Sequence, residues 1–326
     1  MRRHLATAAA LAAAALALTA CGTTEPAADA TAEKPAEKIT LTDASGQEVV
    51  LDGPAEKVVG TEWHEVELLV SLGVDPVGVA DVKGYKTWDT AVPLKNEPKD
   101  IGTRGEPSMD TIAALKPDLI VASTDLPPAA VKQLRAVAPV VEVKSADAAD
   151  PIGQMNKNLD LLARATGTTE KAAELKKAFE AKVEEGKKAL AGAGLGGAKV
   201  AFADGYVVSN QVSVRPFTGG SLIGAVNEEL GLKNDWKVEG DPAYGLGATD
   251  VEGLTKLSDD VHFAYIGNDG DESSTPFTGA LAKDKVWTSL PFVKKGNVHR
   301  LPDGIWMFGG PGSMTKYIDS IIALTK

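Results

Sequence analysis

Residues 105–123, GEPSMDTIAALKPDLIVAS, decide the fold class. Met109, Ile112 and Ala113 fall at helical spacing, Pro117 stops the helix, and Leu119–Ala122 follows as a buried strand. The same alternation extends on both sides. Upstream, TLTDASGQEVVL (40–51) reads as two strands around a Ser45-Gly46 turn. VVGTEWHEVELLVSLG (58–73) opens as a strand and becomes a helix through Val66, Leu69 and Val70, and PVGVAD (76–81) is another strand. Downstream, AAVKQLRAV and VVEV give a helix and a strand, and residues 151–167 form a helix ending at Gly167. Residues 168–192 carry Ala172, Leu175, Phe179, Val183 and Leu190 on one stripe, with Thr168 or Thr169 as cap and Gly192 at the end. That rod of ~33 Å, at ~1.5 Å per residue, either joins two lobes or covers one. A second series runs from KVAFADG (199–205) through the helices SLIGAVNEELGL and VEGLTKL and the strand VHFAYIG to GSMTKYIDSIIALTK. Helices alternating with strands in both series imply parallel α/β topology.

Composition narrows the function. The 326 residues are 44% hydrophobic and 24% charged, which excludes disordered, collagen-like and polytopic membrane classes. A net charge of -11 repels nucleic acid phosphates. One Cys and four His exclude a disulfide scaffold and Cys-rich zinc or iron–sulfur sites. No G-x-S-x-G elbow, HExxH or Cys nucleophile marks an enzyme, and GAGLGG (192–197) follows a helix, so it is a turn and not a phosphate loop.

The first 20 residues have the charged start (Arg2, Arg3) and short apolar body of a signal peptide, too short for the ~20 apolar residues of a membrane span. The single Cys follows at once, in Leu18-Thr19-Ala20-Cys21-Gly22, which resembles a bacterial lipobox. That resemblance implies a lipidated Cys21 anchoring the chain to the outer face of the cytoplasmic membrane. Residues 22–38, GTTEPAADATAEKPAEK, hold no large apolar residue and read as a flexible tether.

Each half has a glutamate near the start of a helix that leads into an apolar strand: Glu106, and Glu252 in ATDVEGLTKLSDDVHFAY. A carboxylate there favours the helix dipole by ~0.3–1 kcal/mol, which explains either residue without invoking function. TLTDASGQEVVL, GEPSMDTIAALKPDLIVAS and VWTSLPFVKKGNVHRLPDGIWMFGGPGSMTKYIDSI, in that order over residues 39–326, resemble the substrate-binding lipoproteins of iron-siderophore and vitamin B12 ABC importers. The resemblance implies two Rossmann-like α/β lobes, 39–167 and 193–326, joined by a long rigid helix at 168–192 with the ligand in the cleft between. It also implies that Glu106 and Glu252 dock onto arginines of a permease dimer served by an ATPase. It implies no enzyme activity and no cofactor, and the protein is expected to be a monomer.

Within that class VADVKGYKTWDTAVPLKNEPKDIGTRGEPSMD (79–110) is similar to the ferric hydroxamate-binding proteins, whose arginine before the docking glutamate falls on Arg104. Tyr244, Trp306, Phe308 and Trp88 match aromatic positions of the same group. Leu126 falls where that group has a tyrosine, and Phe308 has no hydroxyl where a tyrosine can occur. A ferric trihydroxamate core is near neutral and already six-coordinate, so its receptor needs aromatic walls and one or two donors but no metal ligands. Trp63, Tyr85, Trp88, Tyr244, Trp306 and Phe308 supply candidate walls, and Arg104 and Arg215 the donors. A triscatecholate with about three negative charges would call for a basic cluster, which the sequence lacks. Arg104 has an alternative as a surface partner of Glu106 or Asp110, and Trp287 and His262 read as core residues. The rival ligands are haem or cobalamin, with His64 or Tyr244 as the axial residue, and more remotely Zn or Mn at Glu62, His64 and Glu65.

Overall fold

The computed structural model describes residues 37–209 and 211–324. The expected signal segment 1–20, the lipidated Cys21 and the tether up to residue 36 lie outside the described residues.

A hairpin comes first, β1 (Ile39–Thr42) against β2 (Glu48–Leu51). Its turn is made by Asp43, whose Oδ1 accepts from the Ser45 and Gln47 amides at 3.0 Å each. Gly46 takes the positive φ of 80° that this turn requires. The first half continues as β3 (Val58–Gly60), α1 (Trp63–Ser71), β4 (Gly78–Val79), α2 (Val82–Trp88), β5 (Lys99–Asp100) and α3 (Met109–Leu115). It then runs through β6 (Leu119–Ser123), α4 (Pro128–Arg135), β7 (Val140–Val143) and α5 (Pro151–Thr166). Its five strands are parallel in the order β5-β4-β3-β6-β7. The order reverses beside β3, so the carboxyl ends of β3 and β6 open a crevice of the kind where α/β sheets bind ligands.

Helix α6 (Thr169–Gly192) links this lobe to the second. Ala172, Phe179, Val183, Gly186 and Leu190 are its buried stripe. A Cβ on Gly186 would come within 2.6 Å of Leu230 and 2.8 Å of Ile318, so glycine lets the helix pack closely there. Thr168 caps with no side-chain bond to the helix; its hydroxyl meets that of Thr166 at 2.9 Å.

The second half contains β8 (Lys199–Val208), β9 (Gln211–Phe217), α7 (Leu222–Glu229), β10 (Lys233–Asn234) and β11 (His262–Tyr265). α8 (Lys285–Ser289), α9 (Pro291–Lys294), β12 (Val298–Arg300) and α10 (Pro311–Ala323) complete it. Strands β10-β8-β11-β12 are parallel, and β9 folds back antiparallel on β8. The fold is thus α/β, with two parallel sheets in two lobes linked by α6. One local expectation changes: VEGLTKL is a 3-10 turn at Glu252–Lys256 and not an α-helix. SVRPF, unassigned from the sequence, belongs to strand β9. Trp287 and His262 are structural: Trp287 packs in an aromatic core with Phe263 and Phe292, and His262 Nδ1 lies 3.1 Å from His299 Nε2.

One apolar core runs through both lobes. Trp63, Val66 and Tyr85 from the first half pack in the same cluster as Phe202, Trp306, Met314 and Tyr317 from the second. Within it lies an ionic anchor. Glu67, fully buried on α1, accepts from the Ser313 amide and hydroxyl at 2.9 Å each, at the first turn of α10. A side chain on Gly310 would approach Leu68 Cδ2 at 2.6 Å, and one on Gly309 would collide with the Glu67 carboxylate. The glycines let the helix N-terminus close on the anion, where its dipole stabilises the charge. Asp89, also fully buried, lies beside the same carboxylate, with its Oδ1 3.5 Å from the Ser313 hydroxyl. Burial first, and then the neighbouring carboxylate, push Asp89 up, while burial also raises Glu67. Two neighbouring buried carboxyls with no cation between them resist ionising together, so one is expected to keep its proton.

A carboxyl that stays protonated only in the folded state stabilises the fold at low pH and loses that contribution as pH rises. Above about pH 7, where imidazoles are already neutral, stability should fall by up to about 1.4 kcal/mol per pH unit. Urea midpoints for the wild type and Asp89→Asn check this: the asparagine should flatten the slope, and equal slopes would remove the retained proton.

Candidate functional site in the interlobe cleft

The cleft begins where β3 ends. Glu62 is the N-cap of α1, its Oε1 accepting from the Trp63 amide at 2.8 Å. Glu65 completes the capping box, with Oε2 accepting from the Thr61 and Glu62 amides at 3.0 and 3.1 Å. This turn holds Trp63 and His64 at the crevice. Trp63 is the first residue of α1 and not the end of the strand, and its indole donates to the Ala80 carbonyl at 3.1 Å.

Arg104 is fixed from below and from the side. Its guanidinium donates to Glu62 Oε1 at 2.7 Å and lies 4.0 Å over the Trp63 ring and 5.4 Å from the Trp306 ring centroid. Its partner is therefore Glu62, not Glu106 or Asp110. Trp306 meets Trp63 edge-on at 4.8 Å and Phe308 at 5.1 Å. Arg215, on β9, binds the Asp204 carboxylate through two nitrogens and lies 5.5 Å over Phe308.

Tyr244 is placed by its loop. The Asp241 carboxylate accepts from the amides of Ala243, Tyr244 and Leu246 at 2.9, 2.8 and 2.9 Å. Burial opposes that charge, but the three amides outweigh it and hold the carboxyl below its ordinary range. Gly245, at φ 65°, passes against Gly220, where no Cβ fits. The Tyr244 hydroxyl then donates across the cleft to Asp125, beyond the end of β6. Burial, and next that carboxylate, push the phenol up, so it remains a donor.

These groups line two adjoining spaces. The first, about 310 Å³, is walled by Glu62, His64, Arg104, Tyr244, Trp306 and Phe308, with Ser145, Arg215 and Leu246. The second, about 240 Å³, shares Arg104, Arg215 and Trp306 and adds Trp63, Trp88 and Tyr206. Two buried polar atoms in the walls have no partner among the described residues, His64 Nε2 and Trp306 Nε1. Burial pushes the His64 imidazole down, which keeps it neutral. Among the described residues no three His, Cys, Asp or Glu are grouped to hold a metal ion.

The structure thus brings Arg104, Tyr244, Trp306, Phe308, Trp88, Trp63 and Arg215 to one cleft. Tyr85 is the exception and corrects the expectation. It is fully buried beneath α2, and its hydroxyl donates to the Val92 carbonyl at 2.6 Å. Leu126 is buried in the first lobe, and the neighbouring Asp125 reaches the cleft instead. Glu106 and Glu252 are exposed, one in the turn before α3 and one at the start of the 3-10 turn. The sequence reading missed Asp204, Asp125 and Tyr206; an acid at the carboxyl end of a buried strand was the available signal for Asp204.

Residues 58–304 match the periplasmic binding protein family. The chain is 27% identical to the iron(3+)-hydroxamate-binding protein FhuD of Escherichia coli strain K12, over 80% of this chain and 84% of that one. It is 30% identical to the Fe(3+)-citrate-binding protein YfmC of Bacillus subtilis strain 168, over 81% and 78%. Its structure resembles the Fe3+-Desferal-bound siderophore-binding protein FhuD from Vibrio cholerae, with TM-score 0.71, 27% identity and coverage of 82% and 97%.

Tyr85→Phe separates wall from core. It should cost about 1 kcal/mol of stability and leave binding in the cleft unchanged. A loss of ligand affinity without a change in melting would return Tyr85 to the site.

Proposed function

The chain belongs to the periplasmic binding protein family, as a substrate-binding component of iron-siderophore ABC importers, and from that premise we propose that its ligand is a ferric hydroxamate of the ferrioxamine or ferrichrome type. The observation that carries this is the pairing of charges. Arg104 and Arg215, the two cationic side chains that line the cleft, are each already bonded to a carboxylate, Glu62 and Asp204. A cleft so balanced suits a neutral iron core and gives little compensation to ferric citrate or a triscatecholate, whose negative charges would also meet Asp125 and Asp271. The guanidinium of Arg104 keeps donors for hydroxamate oxygens, and the aromatic walls of both spaces cover the organic scaffold.

Glu106 and Glu252 are proposed to contact the permease, one from the exposed turn before α3 and one from the exposed start of the 3-10 turn. Cys21 is proposed as the lipid anchor that keeps the protein outside the cytoplasmic membrane. The shared core and the Glu67 anchor leave the lobes little freedom to close. Haem is the second reading, favoured by the unpartnered His64 nitrogen.

Titration with ferrioxamine, ferrichrome, haem and iron-free siderophore, followed by Trp fluorescence, tests the choice. Both ferric hydroxamates should quench; quenching by haem alone would overturn the proposal. Arg104→Ala should weaken hydroxamate binding by about 1.5–3 kcal/mol, and unchanged affinity would remove it from the site. Glu106→Ala with Glu252→Ala should leave binding intact and abolish uptake. Lost ligand affinity in that double variant would place the glutamates in the pocket.

A further inference from the structure

The two spaces of the cleft differ in charge once their internal pairs are set aside. In the first, Glu62 answers Arg104. At the boundary, Asp204 answers Arg215 through two bonds. The second space contains one carboxylate more, Asp271. It begins the 3-10 turn Glu272–Ser274, and its Oδ1 accepts from the Ser273 amide at 3.0 Å and the Ser273 hydroxyl at 2.6 Å. Among the described residues Asp271 has no Lys or Arg in ion-pair contact. Trp63, Trp88, Trp306 and Tyr206 line the same space. Arg104 covers Trp63 and approaches Trp306, which leaves Trp88 and Tyr206 without a cation over them.

An exposed carboxylate without a counter-cation, at the rim of a space that aromatic rings also line, is an environment for a cation. The guest that suits it is an ammonium, which offers charge to the carboxylate and to the ring faces at once. A neutral amide arm gains neither, and a carboxylate arm is repelled. We propose that the second space takes a protonated primary amine at the end of the ligand, so that the preferred substrates are linear trihydroxamates with a free amine terminus. This rests on the hydroxamate reading above, which places the iron core in the first space. It goes further by assigning the arm its own subsite, with Asp271 as the residue that sets the preference.

Competition between ligands with one core and different ends tests it. Ferrioxamine B carries a terminal amine, its N-acetyl derivative has the same core with a neutral end, and ferrichrome is cyclic. The wild-type protein should bind ferrioxamine B about three- to tenfold more tightly than the acetylated form, with the ratio shrinking as salt is raised. Asp271→Asn keeps the side-chain acceptor of the turn and should bring the ratio close to one. The ratio is the readout, so any general loss of affinity in the variant cancels. Trp88→Leu, which removes a ring face, should lower the ratio as well. Equal wild-type affinities for the free and acetylated amines would overturn the subsite while leaving the hydroxamate reading standing. A preference that survives Asp271→Asn would overturn the assignment to Asp271. No binding of any of the three ligands would overturn both.

Discussion

The Glu67 carboxylate, seated in the first turn of α10, is the contact on which the cleft geometry depends. It joins a helix of the first lobe to the last helix of the second, with Ser313 donating twice at 2.9 Å. Both walls of the site extend from it. One turn earlier on α1 stand Trp63 and His64, and just before α10 stand Trp306 and Phe308. Fixing one carboxylate on one helix end therefore fixes the edge-on contact of Trp63 with Trp306 at 4.8 Å. Further bonds hold the same junction, with the Thr90 and Ala91 amides both donating to the Gly304 carbonyl at 3.0 Å. A buried carboxylate is costly unless its hydrogen bonds are made, so losing the Ser313 donors would leave an uncompensated group, which favours a single lobe arrangement.

Electrostatics then decide what enters. An arginine in a binding cleft is commonly a handle for anions. Here both arginines are neutralised within the protein and stacked on rings, so what they present to a guest is hydrogen-bond geometry and flat surface more than charge. The proposed guest, a ferric trihydroxamate, would bring its iron with coordination already complete and ask of the protein only walls and donors.

Much of this was readable in the sequence. The helix and strand in 105–123, the Ser45-Gly46 hairpin and the stripe of α6 follow from periodicity and turn residues, because each element's burial pattern is set locally. Strand β9 was not readable: Pro216 argues against a strand, and it is accommodated because β9 pairs only with β8 over most of its length. Tyr85 reads as a wall residue because an aromatic at an expected loop end suits a cleft, while only the packing of α2 shows it fully buried. The burial of the acids of α1 was not readable either: Glu65 and Glu67 are both fully buried, one closing a capping box and the other anchoring α10. For Glu67 that burial depends on a partner 246 residues away and leaves no local signal.

The position of iron in crystals grown with a ferric trihydroxamate, located by its anomalous scattering, tests the central claim most directly. One iron is expected in the space between Arg104 and Tyr244, coordinated by six oxygens of the guest and by no protein atom. Iron bonded to His64, Glu62 or Tyr244, or found outside that space, would contradict it.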